Sequence, residues 1–305
     1  MKHLKIILRL LIGVVFIASA VLKLLSIDHF ELYIYSFEIF NFFLTSVFSR
    51  LLITFEFLLG IFLICKFYYQ KTWWLTMFTM IGFTLFLIYT AIYRNDANCH
   101  CFGSFIEINP VESIIKNLVI IGLLLFVKKQ KDWSFRFKKW MIAGFITLGL
   151  ISTFVLFPPD TLYNKIYKPK SKVDVASFEK IISDTTKVGL SNIQGNHIIA
   201  FYVSGCKFCK MSMQKVDNIF KKNEIPTTQF VAIVLGDTNE IVNFKKETLS
   251  SNYQMFSHKD PVLFLKTVYG SFPTIVYMKD DSIVKVVNYR GIEEDEMVQF
   301  LKKSK

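Results

Sequence analysis

The chain has 305 residues, 52% of them hydrophobic and 32 of them Phe, with a formal charge of +12 and a mean hydropathy of +0.40. So apolar a composition, crowded into the first half, excludes a single soluble domain. The positive charge does not point to nucleic acid, because the basic residues form no aromatic-studded patch; in the apolar half they gather in one short loop, as a membrane-topology signal does.

Five apolar stretches, at about 5–26, 48–66, 72–93, 112–128 and 139–157, each approach the ~20 residues a bilayer crossing needs. They predict five spanning helices. Lys2, Lys5 and Arg9 followed by Ala18-Ser19-Ala20 mimic a signal peptide, but the apolar run continues through Leu25, so an uncleaved first helix is expected. Residues 28–44 are aromatic with scattered acids and predict an interfacial or re-entrant helix. Arg50, near the outer end of the second span, is expected to snorkel toward the interface. Lys128, Lys129, Lys131, Arg136, Lys138 and Lys139 mark the loop before the fifth span as cytoplasmic, and Lys66 and Lys71 do the same for an earlier turn. The expectation is an inner-membrane protein in the lipid bilayer, N-terminus cytoplasmic and C-terminal half extracytoplasmic. There disulfides form and persist.

Four of the five cysteines fall in two close pairs, Cys99 with Cys101 and Cys206 with Cys209, while Cys65 has no mate and is expected to be buried and inert. The run "NCHCFG" after an apolar helix, with Lys23 late in the first span and Glu56 in the second, Gly60 four residues on, resembles the MauE/DoxX-like membrane proteins over residues 1–130. That resemblance implies a four-helix redox core, here with a fifth transmembrane helix, and disulfide chemistry linked to a membrane quinone. His100 departs from the small residue usual between the cysteines.

A basic loop and fifth helix (131–160) lead to a polar stretch, 161–173, expected to be a linker. Beyond it, "HIIAFYV" (197–203) is a buried-strand run and "CKFCKMSMQKVDNIF" (206–220) has helical spacing. Further strands are expected at 230–236, 271–278 and 282–291, and helices at 238–250, 260–268 and 294–303. Strand, CxxC at a helix start and a later proline, Pro273 in "SFPT", resemble the α/β thioredoxin fold over 174–305, with an inserted βα unit as in TlpA-like and peroxiredoxin-like relatives. The resemblance implies that Pro273 is the cis-proline beside the CxxC. Gly205 stands where that family often has tryptophan.

Cys206 opens a helix, where free N–H groups favour a negative charge, and Lys207 and Lys210 add to it. The thiolate is the attacking species in disulfide exchange, so Cys206 reads as the attacking thiol and Cys209 as the resolving one. A CxC disulfide closes a small ring, and strain makes such a bond more reducible; Cys99 and Cys101 therefore read as an exchange station, with a Cys-His-Cys metal site and a static staple as the other readings. Glu56 is costly at its depth and reads as proton handling beside a quinone or as an interhelical clasp, with Lys23 as its partner. The remaining histidines show no ligand spacing, and no tightly bound metal is expected. These readings converge on a membrane thiol–disulfide oxidoreductase acting on envelope proteins that carry cysteines, recycled by Cys99 and Cys101. A reductive thiol donor of the kind used in cytochrome c maturation, a soft-metal module and a binding-only assembly factor stand as alternatives.

Overall fold

The computed structural model describes residues 2–94, 101–104, 108–128, 130–132, 135–167, 171–186 and 195–303. Cys99 and His100 lie outside them. The chain divides into two compact units, one of residues 1–34 and 44–159, the other of 35–43 and 160–305.

The first unit is helical. It contains α1 (Lys2–Leu25), α2 (Ile27–Tyr35, whose last residue falls to the second unit), α3 (Phe42–Cys65, whose first two residues fall to the second unit), α4 (Tyr69–Tyr93), the short extended segment β1 (Cys101–Ser104), α5 (Pro110–Phe126) and α6 (Lys138–Phe154). By length and composition α1, α3 and α4 can each cross a membrane. At 17 residues each, α5 and α6 are about 25 Å long, short of the ~30 Å hydrocarbon thickness. α3 starts at Phe42, earlier than hydropathy alone suggests, because Phe42-Phe43-Leu44 extends the apolar run without a breaker. The aromatic segment before it is helical only from Ile27 to Tyr35. α5 starts early because Asn109 caps it in a capping box with Glu112, with Pro110 in the first turn.

Backbone approach sets the packing of α1 on α3. A Cβ on Gly60 would lie 2.7 Å from the Gly13 carbonyl oxygen and 3.1 Å from the Ile17 nitrogen, so small residues bring these two helices together. α4 and α5 are joined by polar bonds inside an apolar setting: Trp73 Nε1 donates to Leu124 O at 2.7 Å and Tyr69 Oη to Val127 O at 2.6 Å. Arg50 does not snorkel. It is 2% exposed and pairs with Glu31, while its Nε donates to Phe157 O at 2.8 Å. A carboxylate and a carbonyl inside the unit satisfy the guanidinium better than a climb to the interface.

The second unit continues with α7 (Asp160–Tyr167), α8 (Val175–Thr186), β2 (Asn196–Val203), α9 (Lys207–Lys222), β3 (Phe230–Leu235), α10 (Thr238–Thr248), β4 (Gln254–His258), α11 (Pro261–Thr267), β5 (Thr274–Lys279), β6 (Ser282–Val287) and α12 (Glu294–Lys302). Its five strands run in the order β4-β3-β2-β5-β6, with β3 parallel to both β2 and β4, and β5 antiparallel to β2 and β6. This is a thioredoxin-like sheet with one extra βα unit. Alternation divides its faces: Ile199, Phe201, Val231 and Ile233 pack with Phe178 of α8 and Phe264 of α11, while on the other face Tyr202 meets Phe244 and Phe230 meets Phe220. The stretch after the fifth helix, read as a linker, carries α7, and its Asp160 is a working part of this unit.

Lys215, on α9, is fully buried. Its ammonium lies 3.1 Å from Asp160 Oδ2 and 3.7 Å from the centre of the Phe42 ring. Glu294 accepts from the Phe42 N–H at 2.9 Å, from Lys222 and from Asn223. Burial pushes the Glu294 carboxyl upward, but these donors outweigh it and hold it below the usual value. Residues 35–43 are thus fastened into the second unit by charge.

Two outcomes are expected. Gly60→Val forces backbone apart between α1 and α3 and lowers the stability of the solubilised protein by about 1–3 kcal/mol, read as an earlier thermal transition. Asp160→Ala leaves the Lys215 charge buried without its carboxylate and costs about 3–5 kcal/mol, measured as a shift in the denaturant midpoint of the second unit.

Candidate functional site

In the second unit the site grows from a strand end. β2 ends at Val203, and a turn closed by Cys206 N–H donating to Val203 O at 3.0 Å leads into α9. Cys206 is the N-cap of α9, with extended backbone, and its sulfur accepts from Cys209 N–H at 3.3 Å. One turn on, Cys209 is fully buried, and its sulfur accepts from Val203 N–H at 3.5 Å. Both are thiols. Cys206 is thus partly open and Cys209 enclosed. Burial pushes the Cys209 thiol well above its ordinary range, and the adjacent Cys206 adds to the effect.

The Phe272–Pro273 bond is cis. β5 begins at Thr274, which pairs with Phe201 near the end of β2. The Pro273 loop and the CxxC therefore leave neighbouring strands at the same sheet edge. Lys210, expected to add positive charge, is bound to Glu247 at 2.5 Å, so much of its field is spent; Lys207 remains exposed. Nothing lies within 4 Å of a Cβ built on Gly205. Phe208, between the cysteines, is 44% exposed and touches Tyr289, ring centres 5.7 Å apart. An exposed aromatic ring thus stands at the rim of the site beside Lys207.

In the first unit, Lys23 of α1 pairs with Glu56 of α3 at 2.6 and 2.7 Å, both almost wholly buried. The Lys23 ammonium also lies 5.4 and 5.6 Å from the Phe30 and Phe83 rings. Ser19, one turn before Lys23, bonds Glu56 Oε2 at 3.3 Å and Cys101 O at 2.9 Å. Gly103 has φ +67°, and a Cβ there would lie 2.6 Å from Leu22 O. Only a glycine lets β1 lie this close to α1, and that approach brings Cys101 beside the Lys23–Glu56 pair. Cys65, at the end of α3, is half-buried and reduced. Among the described residues no group of three His, Cys, Asp or Glu is arranged to hold a metal; the Cys99-His100-Cys101 reading lies partly outside them.

Sequence reasoning singled out Cys101, Lys23 and Glu56 but missed Ser19 and Asn117. Asn117 is 4% exposed on α5 and borders the same cavity as Ser19, Lys23, Glu56 and Cys101. An amide within an apolar span, and a serine four residues before a buried lysine, were the available signals.

The first 128 residues match the sequence family described as Methylamine utilisation protein MauE. This match makes residues 1–128 a MauE-like domain. Over 295 residues the chain is 25% identical to Protein TlpB of Flavobacterium psychrophilum, covering 79% of each, so the likeness extends across both units. A secreted disulfide oxidoreductase of Mycobacterium tuberculosis, described as homologous to E. coli DsbE, is 19% identical, with 37% of this chain and 85% of that one covered and a TM-score of 0.30. The chain thus joins a MauE-like helical part to a thioredoxin-like unit and is similar to membrane thiol–disulfide oxidoreductases.

The two thiols are expected to separate cleanly. Brief alkylation of the reduced protein near neutral pH should label Cys206 and spare Cys209, read by peptide mass. Equal labelling would contradict the enclosed resolving position.

Proposed function

We propose that this protein oxidises envelope proteins that carry cysteines. Cys206 forms the mixed disulfide with the client and Cys209 resolves it. The MauE-domain pair, Cys99 and Cys101, then takes the two electrons from the reduced CxxC. The observation that carries the reading is the asymmetry of the CxxC: a capping, accessible Cys206 over an enclosed Cys209, beside the Pro273 loop. The basic loop at 128–139 supports an orientation with both cysteine pairs on the extracytoplasmic side of the cytoplasmic membrane.

The final acceptor we propose is a membrane quinone, which when bound supplies a two-electron sink. Lys23 and Asn117 are donors of the kind that quinone carbonyls accept. The cavity they border holds only about 50 Å³, the space of a few waters. The residues around it do not fit a quinone ring, so the steps assigned to them are proton steps only. Reductive flow, as in a TlpA-like thiol donor, is the second reading.

One experiment on the full-length protein tests the relay. In a Cys209→Ala variant the stalled Cys206 should be caught in a disulfide with Cys99 or Cys101, seen by peptide mapping. Cys101→Ser should leave the wild-type CxxC mostly as dithiol in cells, by mass-tag trapping. If Cys101→Ser leaves the CxxC redox state unchanged, the relay is wrong. A mostly dithiol CxxC in wild-type cells would reverse the direction to reductive.

A further inference from the structure

A second cavity lies in the thioredoxin-like unit, toward the C-terminal end of α9. It holds about 200 Å³, more than the ~150 Å³ that admits a benzene molecule. Asp217 borders it and stands about three turns beyond Cys206, roughly 16 Å along the helix axis. Much of the lining is apolar: Phe220, Ile225 and the Tyr253 ring are buried, and the Phe220 and Tyr253 rings meet edge to face at 6.0 Å. Three features mark a binding site rather than a packing gap. The buried Tyr253 hydroxyl has no hydrogen-bond partner among the described residues. Burial, and then the Asp217 carboxylate, push its pKa upward, so it keeps its proton; the two groups lie near one another without hydrogen-bonding geometry. A buried hydroxyl in that state is costly. Next, Asp217 and Glu224 set two carboxylates against one ammonium, Lys221. Lys221 bonds Asp217 at 2.6 Å, but its side chain is 59% exposed, and such an i,i+4 surface pair is weak and easily opened. Finally, Leu249 at the border has φ +54° and is 80% exposed. A leucine in left-handed backbone with its side chain in water is unfavourable twice over, and strain of this kind collects where ligands are held.

We propose that this cavity binds an amphipathic organic cation: an apolar or aromatic body with an amidinium, guanidinium or primary ammonium head. The body lies against Phe220, Ile225 and Leu249 and covers the exposed leucine. The head donates N–H bonds to the Asp217 carboxylate and to the Tyr253 oxygen, and Lys221 swings into solvent as the head replaces it. Glu224 supplies a second negative charge at the border. The two carboxylates repel an anion. Aromatic walls suit an organic head better than a metal ion, for which the described residues offer no group of three ligating side chains. A free amine and an arginine side chain of a partner protein share this chemistry. No sulfur takes part, so the site stands independently of the exchange reaction at Cys206.

The test uses the full-length protein in lipid nanodiscs, with benzamidine as the probe and empty nanodiscs as the blank, titrated by saturation-transfer NMR. Benzamidine should bind saturably, and benzamide, which has the same shape without the charge, about tenfold more weakly. Asp217→Asn should weaken benzamidine by a similar factor. Tyr253→Phe should weaken it severalfold yet leave the thermal transition of the unliganded protein unchanged or higher, because it removes a hydroxyl that has no partner. Leu249→Gly should raise that transition by relieving the left-handed leucine, and weaken binding as well. N-acetyl-arginine amide is the second probe: binding comparable to benzamidine supports the site as a receptor for a protein side chain, and binding of benzamidine alone supports it as a receptor for a free amine. Equal binding of benzamide and benzamidine would overturn the proposal, as would no saturable binding of either cation, or a Tyr253→Phe protein that is less stable and binds as before. A failed relay between the cysteine pairs would sink the proposed function and leave these outcomes as they are.

Discussion

The buried Lys23–Glu56 ion pair is the constraint around which the MauE domain is organised. Two charges removed from water cost several kcal/mol each, and the cost is tolerable only when every lone pair and proton nearby finds a partner. The pair therefore dictates its surroundings. Phe30 and Phe83 turn ring faces toward the ammonium, Ser19 covers one carboxylate oxygen, and glycines at 13 and 60 let α1 and α3 approach closely. Cys101 reaches this cluster because residue 103 has no side chain to hold β1 away from α1. Cys101 and the charge pair are thus joined by packing rather than by sequence proximity.

The thioredoxin-like unit solves the same problem with different parts. Lys215 and Glu294 are both buried and are satisfied by Asp160 and by residues 35–43. Near the chemistry, by contrast, polar groups are sparing. Cys206 and Cys209 are served by backbone N–H groups, which are fixed by the turn and need no side-chain rearrangement as sulfur changes partner.

Much of this was legible in the sequence because it rests on local patterns. The run "HIIAFYV", the CxxC at the following helix start and the proline opening a later strand each encode their element within a few residues. Lys23 and Glu56 were legible because charge in an apolar span needs a reason. What escaped was long-range. Arg50 looked like an interfacial residue because the carbonyl of Phe157 and the carboxylate of Glu31 that bind it are distant in sequence. Asn117 was overlooked among the apolar residues of α5, since only the folded bundle shows that its amide borders a cavity. The polar stretch after the fifth helix has linker composition, and only the burial of Lys215 explains why Asp160 sits in a helix there.

The thioredoxin-like unit is discontinuous: residues 35–43 belong to it, yet residues 44–159 intervene before its remainder begins. During synthesis, Phe42 leaves the ribosome long before Lys215 or Glu294 exists. That short strand of chain must wait, unpartnered, while several helices are threaded behind it. Completion of the thioredoxin-like unit is thereby chronologically tied to the helices between its two pieces, a built-in order of assembly that a simple tail-to-head fusion of two modules would lack.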